Sequence, residues 1–282
     1  MTGMLGELSV AVIGAGNLGA ALLSGLSALG DAAPARLLAA DADAAKIEAI
    51  VSRHPSVEGV SNLAAAEADV IVLAVKPHVV QPVLEEIAPT VGPEQLLISL
   101  AAAVPLVVLE EAFEEPQPII RVMPNIAMTV HAAASGLCRN EEATAEHLEL
   151  AREIFGAVGE TVVVDEGQMH AVTGLSGSGP AYVFTLIEAL AAGGVKKGLP
   201  QAASRLLAAQ TFLGAAKLVL ESGISPADLR DQVTTPGGTT IAGLHELERG
   251  GVRSALMDAV EAASDRSMEL AEMLYGDDGH RH

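Results

Sequence analysis

A glycine-rich turn near the start of the chain has residue types and spacing suited to binding phosphate. The apolar run Ser9–Ile13 leads into Gly14-Ala15-Gly16-Asn17-Leu18-Gly19, and a helical pattern follows. In this spacing the first glycine permits a tight turn, the second lets the backbone approach a pyrophosphate, and the third packs helix against strand. The start of the following helix offers free N–H groups to the anion. These six residues are therefore predicted to bind a dinucleotide.

An acidic residue stands where such a dinucleotide would place its adenosine ribose. Asp41 follows the apolar run 35–40, about 20 residues after the last glycine, where an acid accepts a hydrogen bond from the 2′-hydroxyl of NADH. Asp43 adds a negative charge that would repel the 2′-phosphate of NADPH unless Arg36 or Lys46 reaches it. The other interpretation is that Asp41 caps the following helix. We expect NADPH or NADH as the cofactor, with a slight preference for NADH.

Small residues and a lysine follow three further apolar runs. Ligands of open α/β sheets bind at the carboxyl ends of parallel strands, so residues at these ends are candidates to contact the cofactor. Lys76 is predicted to meet a phosphate or the nicotinamide ribose, and a solvated surface lysine is the alternative. The small side chains leave room for a nicotinamide ring. The candidates are Ala74, Val75, Lys76, Pro77, Ala101, Ala102, Pro124 and Asn125.

A second glycine-rich turn, TTPGGTTIAGLHELERGG at 234–251, interrupts an Ala- and Leu-rich region that is otherwise typical of helices. Its proline and two glycines let the backbone turn and approach a ligand closely. The helical pattern resumes at about Thr239 and would aim its first N–H groups at an anion. The threonines of the turn add hydroxyl groups for a small polar ligand.

Strand and helix patterns alternate in the first half of the chain. This alternation indicates βαβ units and a mostly parallel sheet, with two more strands at its edge around a helix at 141–157. The predicted strands are 8–13, 35–40, 69–75, 95–100 and 118–123, with 132–140 and 161–165 at the edge. The helices between them are predicted at 17–29, 43–53, 78–88 and 105–112.

After residue 165 no strand pattern remains. Helices are predicted at 180–197, 201–222, 225–232, 239–249 and 251–274. Gly193 and Gly194 lie inside the first of these and predict close backbone packing, because a glycine costs an exposed helix on the order of 1 kcal/mol. The predicted fold class is α/β, with a Rossmann-type dinucleotide-binding domain over 1–165 and an all-α domain over 166–282.

Charge and composition exclude several classes of function. The net charge of −20 over 282 residues argues against nucleic acids and anionic membranes as partners. The single cysteine, Cys138, allows no internal disulfide and fits a reducing cytosol. The N-terminal sequence is not typical of a signal peptide, and no apolar run is long enough for a membrane helix. We expect a cytoplasmic protein without a metal site.

Two C-terminal blocks point to one family. LSGSGPAYVFTLIEALAAGGVKKGLP (175–200) and LRDQVTTPGGTTIAGLHELERGGVRSALMDAVEAASDRS (229–267) closely resemble the Δ1-pyrroline-5-carboxylate reductases. IGAGNLG (13–19), LAVKPH (73–78) and RVMPN (121–125) resemble the same family in the same order. The resemblance covers essentially the whole chain. It implies a Rossmann domain, a helical C-terminal domain that forms interlaced dimers, and further association into a decamer.

The resemblance also implies a reaction and its site. NAD(P)H would deliver hydride to the C=N carbon of 1-pyrroline-5-carboxylate and give L-proline, the last step of proline biosynthesis. Thr240 would hydrogen-bond the ring nitrogen as the catalytic residue. Backbone N–H groups around Gly238, Thr239 and Thr240, with the hydroxyl of Thr235, would hold the carboxylate. Further positions matched by motif are Glu166 and Gln232 for the substrate and Asn62 for the cofactor.

The chain departs from the family pattern at three places. Ile126-Ala127 follow RVMPN where Thr-Pro is usual, which affects the shape expected for the nicotinamide pocket. His170 stands where an acidic residue is usual. Asp41 and Asp43 replace the Ser- or Arg-bearing loop of typical NADPH users.

Two other functions stay open at this point. One is reduction of a related cyclic imino acid, such as pyrroline-2-carboxylate or a piperideine carboxylate, and the other is a non-catalytic NAD(P)-binding sensor. A β-hydroxyacid dehydrogenase is disfavoured, because those enzymes place a catalytic lysine on the first long helix of the α domain. Here that helix carries lysines only at its far end, at Lys196 and Lys197.

Overall fold

The computed structural model describes residues 4–276, which divide into two compact units. One unit contains residues 4–178 and 262–276, and the other contains residues 179–261. Among the described residues the last strand ends at Val163, and only helices and loops follow. The division into domains at 165/166 stays a prediction.

An eight-stranded sheet forms the centre of the first unit. Its strands are β1 (Ser9–Ile13), β2 (Arg36–Ala40), β3 (Val57–Gly59), β4 (Val70–Leu73), β5 (Leu96–Ser99), β6 (Ile119–Met123), β7 (Ala133–Arg139) and β8 (Gly159–Val163). They lie in the order β3-β2-β1-β4-β5-β6-β7-β8. The first six are parallel, β7 is antiparallel to β6, and β8 is parallel to β7. The order 3-2-1-4-5-6 is that of the Rossmann fold, so the predicted fold class is confirmed.

Helices cover the sheet and form all of the second unit. In the first half they are α1 (Asn17–Ser27), α2 (Ala44–Arg53), α3 (Asn62–Ala65), α4 (Pro77–Ile87), α5 (Leu106–Glu110), α6 (Ala145–Gly156) and α7 (Met169–Val172). A π-helical turn, Thr173–Gly177, precedes α8 (Gly179–Lys196), α9 (Gln201–Ser222), α10 (Pro226–Gln232), α11 (Thr239–Arg249) and α12 (Val252–Tyr275). Within residues 4–276, none of these helices has both the length and the apolar character that a membrane span requires.

The predicted strands and long helices are present, with ends that shift by a few residues. The shortest strand, β3, and the two shortest α-helices, α3 and α7, were not predicted. Two of the three residues of β3 are exposed, so its sequence shows no run of buried residues. The pair was predicted correctly as two strands around a helix, but β7 pairs with β6 inside the sheet, so of the two only β8 is an edge strand.

The core consists of two apolar layers, one on each face of the sheet. On one face Leu22 and Leu26 of α1 and Phe155 of α6 are fully buried against the strands. On the other face Leu84 of α4 and Leu109 of α5 are fully buried. Because both faces are covered, alternate residues of each central strand point into opposite layers and the strands are apolar throughout.

The single cysteine belongs to this core. Cys138 is 2% exposed and lies on β7, opposite Arg121 of β6. Burial raises the pKa of its thiol to about 12. A thiolate is therefore not populated at neutral pH, and the side chain acts as a small apolar residue.

In the second unit α8 and α9 form a helical hairpin. Gly198 adopts φ +95° between them, and Ser204 Oγ of α9 donates to the Ala191 carbonyl of α8 at 2.6 Å. A Cβ at Gly194 would lie 2.1 Å from Ser204 Oγ, which confirms the predicted close packing there. A Cβ at Gly193 would meet no atom within 4 Å, so that glycine is not explained by contacts within the described chain.

Most apolar side chains of the second unit are exposed. Among residues 179–261 only Ser204 and Ala208 are buried. Large side chains with more than half of their surface exposed are Phe184, Leu190, Leu206, Leu207, Leu213, Leu218, Leu220, Val233 and Met257. An apolar surface of this extent is typical of a face that another chain covers.

We predict that the hydrogen bonds joining the starts of β1 and β4 stabilise the sheet. The Asp69 carboxylate accepts from the Ser9 N–H at 2.7 Å and from the Ser9 hydroxyl at 2.5 Å. These bonds hold the pKa of Asp69 below its ordinary value of 3.8. Asp69→Ala should lower the free energy of unfolding by about 1 kcal/mol at pH 7. Thermal melts of both proteins measure the difference.

Asp31→Ala serves as the matched control, because Asp31 is exposed and no hydrogen bond within the described residues involves its side chain. The folded pKa of Asp69 lies below the unfolded one, so its contribution is present above about pH 3.8 and is lost as the pH falls through the lowered pKa. A melting temperature of Asp69→Ala equal to that of the control at pH 7 would contradict the prediction.

Candidate active site

The loop between β1 and α1 lies at the carboxyl edge of the parallel strands. The Gly14 N–H donates to the Ala40 carbonyl at the end of β2 at 2.7 Å, and the Ala74 N–H after β4 donates to the Ile13 carbonyl at 2.8 Å. These bonds place the loop between the ends of three adjacent strands. The loop therefore sits at the point where Rossmann folds bind a dinucleotide.

The three glycines of the loop differ in the space that surrounds them. Gly14 has φ +106°, and a Cβ there would lie 2.7 Å from the Ala74 carbonyl oxygen. A Cβ at Gly19 would lie 1.8 Å from the Gly14 carbonyl oxygen, so α1 packs directly on the loop. A Cβ at Gly16 would meet no atom within 4 Å. The open space at Gly16 is where the backbone can approach a pyrophosphate, so the loop fits the predicted cofactor.

Helix α1 begins without a side-chain cap. Gly16 occupies the N-cap position, and because it has no side chain it cannot cap the first turn. The same holds for α4, which begins at Pro77 after Lys76. By contrast, Asp43 caps α2 by accepting from the Ala45 N–H at 3.0 Å. Uncapped first turns leave N–H groups available to a bound anion.

Asp41 lies beside the loop, and its carboxylate accepts hydrogen bonds from backbone and side-chain groups. One oxygen accepts from the Ala15 N–H at 2.8 Å, and the other accepts from the Asp43 N–H at 2.8 Å. The Lys46 ammonium lies 3.2 and 3.3 Å from the two oxygens. Partial burial raises the pKa of Asp41, but these hydrogen bonds and the lysine outweigh it and hold the pKa below its ordinary value. Because Asp43 caps α2, the interpretation of Asp41 as that cap is wrong.

The other predicted cofactor positions lie along the same sheet edge. Ala74 to Pro77 connect β4 to α4, and Ala101 and Ala102 follow β5. Lys76 is exposed, and it has no ion-pair partner within residues 4–276. Asn125 donates to the Ser176 carbonyl at 3.0 Å and so ties the end of β6 to the π-helical turn. Asn62 lies on α3 and donates to Glu86 at 2.7 Å.

Glu166 is held by two groups of the first unit. Its Oε1 accepts from the Leu106 N–H at 2.6 Å and from Arg121 Nη1 at 3.3 Å. Arg121 is 3% exposed, and its Nη2 has no hydrogen-bond partner within the described residues. His170 shares a hydrogen bond of 2.9 Å with Ser267 of α12. Burial and the charge of Arg121 lower the pKa of His170. The role of Glu166 at the substrate stays a prediction.

The second unit carries the threonine-rich loop before α11. Gly237 has φ +66°, and the Gly238 N–H donates to the Thr235 carbonyl at 3.0 Å. A Cβ at Gly238 would lie 2.3 Å from Thr235 Oγ1, so a side chain there would displace the Thr235 hydroxyl. Gly238 is the N-cap of α11 and provides no side-chain cap. Within residues 4–276 the hydroxyls of Thr235, Thr239 and Thr240 make no hydrogen bond.

A large cavity elsewhere in the first unit has an unsuitable charge for these ligands. Its volume is about 1000 Å³, and it lies between α5 and the segments that follow β7 and β8. Its acidic lining consists of Glu110, Glu114, Glu115, Glu141, Glu142, Asp165 and Glu166. These carboxylates would repel an anionic dinucleotide or carboxylate. None of the loop glycines lines it.

Comparison with known proteins gives the family. A family model for pyrroline-5-carboxylate reductase dimerisation matches residues 166–270, and a model described as NADP oxidoreductase, coenzyme F420-dependent, matches residues 9–103. The pyrroline-5-carboxylate reductase of Methanosarcina acetivorans is 46% identical over 93% of this chain and 98% of the relative. That of Pseudomonas aeruginosa is 41% identical over 94% of this chain and 97% of the relative. The chain belongs to the pyrroline-5-carboxylate reductase family.

Solved structures of this family share the fold. The pyrroline-5-carboxylate reductase of Coxiella burnetii superposes with a TM-score of 0.88 at 36% identity, over 93% of this chain and 97% of that one. The Plasmodium falciparum enzyme, solved with NADP bound, gives a TM-score of 0.81 at 30% identity over 95% and 99% of the two chains. This family member is thus an NAD(P)H-dependent oxidoreductase, and its matched dimerisation region indicates self-association.

The structure adds contacts of this reductase that the sequence did not reveal. The anchoring of Ala15 by Asp41 and the pairing of Glu166 with buried Arg121 were not predicted. A charged residue inside the apolar run PIIRVM was a signal that Arg121 needs a buried partner.

We predict different effects for two glycine substitutions in the dinucleotide loop. Gly16→Ala should fold with a loss of under about 1 kcal/mol, because its methyl meets open space, but should weaken NADH binding at least about tenfold. Gly19→Ala should also lower the melting temperature clearly, because its methyl overlaps the Gly14 carbonyl. Thermal melts and NADH fluorescence titrations measure both effects. If Gly16→Ala binds NADH as wild type does, the backbone does not approach the pyrophosphate there.

Proposed function

We propose that this protein reduces 1-pyrroline-5-carboxylate to L-proline with NAD(P)H, the last step of proline biosynthesis. The observation that carries the proposal is the loop before α11. It combines an uncapped helix start with three hydroxyls that have no partner within the described residues. A small ring with one carboxylate and one imine nitrogen matches both features, and the names of the relatives fit this substrate.

In this proposal the start of α11 binds the substrate carboxylate. Helix α11 has 11 residues, and the first N–H groups of such a helix carry about half a positive charge. The N–H groups of Thr239 and Thr240 and the hydroxyl of Thr235 serve as donors. The arginines near the loop in sequence are already ion-paired, Arg230 with Asp231 at 3.0 Å, Arg249 with Glu246 at 2.7 Å and Arg253 with Glu248 at 2.7 Å. The backbone therefore supplies the positive potential in a chain of net charge −20. Gln232, at the end of α10, is proposed to approach the same ligand.

Thr240 is proposed to orient the imine nitrogen. Its hydroxyl can donate to a neutral imine or accept from a protonated iminium, so it suits either state of the ring. Most of the rate acceleration then comes from holding the imine carbon at the nicotinamide ring. The cofactor, when bound, supplies the hydride.

The residues along the sheet edge are proposed to hold the cofactor. The loop from Gly14 to Gly19 binds the pyrophosphate, Lys76 contacts a phosphate or the nicotinamide ribose, and the residues after β5 and β6 leave space for the nicotinamide. Asp41 is proposed to accept a hydrogen bond from the adenosine ribose, which favours NADH slightly over NADPH.

The apolar surface of the second unit supports a specific mode of assembly. Exposed leucines on α8 and α9 have few partners within their own chain. We propose that they are buried in an interlaced dimer and that such dimers associate further into a decamer. Mutual burial of these faces would remove apolar surface from water at about 25 cal/mol per Å².

A panel of cyclic imines tests the proposed reaction. Purified protein should oxidise NADH fastest with pyrroline-5-carboxylate and more slowly with pyrroline-2-carboxylate and piperideine carboxylates. Oxidation is followed by absorbance, and proline is identified as the product. A higher rate with one of the other imines would assign the enzyme to that substrate. Binding of the cofactor without turnover on any imine would identify a sensor.

We predict that Thr240→Ala lowers kcat/KM about 10- to 100-fold without abolishing turnover, because one hydrogen bond to the reacting ring is lost. Thr240→Ser keeps the hydroxyl and should recover most of the activity. Thr90→Ala is the matched control, since Thr90 is exposed and follows α4, at the edge of the sheet opposite the carboxyl ends of the parallel strands. Steady-state kinetics of the three variants measure these changes in kcat/KM. Unchanged kinetics of Thr240→Ala would remove Thr240 from the mechanism.

A further inference from the structure

Lys46 occupies an unusual position at the predicted ribose site. It lies on the first turn of α2, and its ammonium contacts both oxygens of Asp41 at 3.2 and 3.3 Å. The side chain of Asp41 is 11% exposed, whereas that of Lys46 is 46% exposed. The pair is therefore open to solvent on the lysine side.

The two sides of this pair are held with different strength. Asp41 is fixed by the backbone N–H groups of Ala15 and Asp43, in addition to the lysine. Lys46 has no other ion-pair partner among the described residues. An ion pair with a half-exposed partner contributes only about 0–1 kcal/mol. The ammonium can therefore leave Asp41 at little cost, whereas the carboxylate stays in place.

Arg36, the other cation considered for this site, is tied elsewhere. It is the first residue of β2, and its guanidinium binds the Glu58 carboxylate of β3 at 2.8 Å. Asp41 follows the last residue of the same strand, so about 16 Å of extended chain separates the two residues. Of the two candidates only Lys46 lies at the carboxyl edge.

We propose that Lys46 is a masked ligand for the 2′-phosphate of NADPH and that Asp41 is the mask. In wild type the fixed carboxylate accepts from a ribose hydroxyl and repels a 2′-phosphate, and Lys46 offsets only part of that repulsion. Neutralising Asp41 removes the repulsion and frees the ammonium to bind the phosphate. The inference rests on the proposed place of the adenosine ribose beside Asp41, and it is independent of which imine is reduced.

Asp41→Asn is the appropriate change, because the amide oxygen can still accept from the Ala15 N–H and keep the loop in place, although the bond from the Asp43 N–H is lost. We expect this variant to shift the ratio of dissociation constants by about tenfold toward NADPH, the effect of removing one charge near the phosphate. Adding Lys46→Ala should cancel the shift. Adding Arg36→Ala instead should leave it intact.

Calorimetric titration of the full chain measures these ratios without any turnover. NADH and NADPH are titrated first, and then adenosine 5′-phosphate and adenosine 2′,5′-bisphosphate, which report on the 2′ position alone. An unchanged ratio in Asp41→Asn, or a shift that survives Lys46→Ala, overturns the inference. A shift that depends on Arg36 overturns it as well. If wild type binds neither dinucleotide, the cofactor site itself is wrong.

Lys46→Ala alone provides a second measurement if Asp41→Asn disturbs the loop. It leaves Asp41 unpaired, so binding of adenosine 2′,5′-bisphosphate should weaken severalfold while binding of adenosine 5′-phosphate changes less than about twofold. Equal weakening of both ligands would indicate a general loss of positive charge, and the inference would then be rejected.

Discussion

The close approach of three strand ends around the turn after β1 is the constraint on which the cofactor site depends. Backbone hydrogen bonds join Gly14 to the end of β2 and Ala74 to the end of β1, at 2.7 and 2.8 Å. At these distances no side chain fits at Gly14 or Gly19. The contact fixes where α1 begins and directs its uncapped N–H groups along one edge of the sheet. The hydrogen bond from Ala15 to Asp41 couples the same turn to the proposed ribose end of the site.

In the proposed function, backbone groups carry much of the anion binding of this acidic protein. Three helices that begin at proposed ligand positions, α1, α4 and α11, have no side-chain cap. Free N–H groups attract phosphate or carboxylate without a lysine or arginine. Of the two lysines at the cofactor edge, Lys46 is compensated by Asp41 and Lys76 is exposed. A chain of net charge −20 can thus bind anions through local geometry against its overall field.

The sequence predicted the strands, the long helices and the glycine loop because each has a local signal. Apolar runs mark buried parallel strands, close backbone contacts require Gly14 and Gly19, and Gly16 leaves open space for the pyrophosphate. β3 was missed because a strand of three residues, two of them exposed, shows no hydrophobic periodicity. The pair of Glu166 with Arg121 was missed because 45 positions separate the residues. A single sequence carries no signal for a contact between residues so far apart along the chain.

Residue types and spacing by themselves predicted a dinucleotide site at the first helix and an anion site at the start of α11. Both depend on glycines and on helix starts, which are properties of a few consecutive residues. Only the tertiary structure decided what surrounds them. It showed that Asp43 rather than Asp41 caps α2, that Asp41 holds the loop and Lys46 together, and that Arg36 is engaged at the far end of β2. The physical reason is that a charged side chain takes the nearest partner in space, and the fold sets which partner that is.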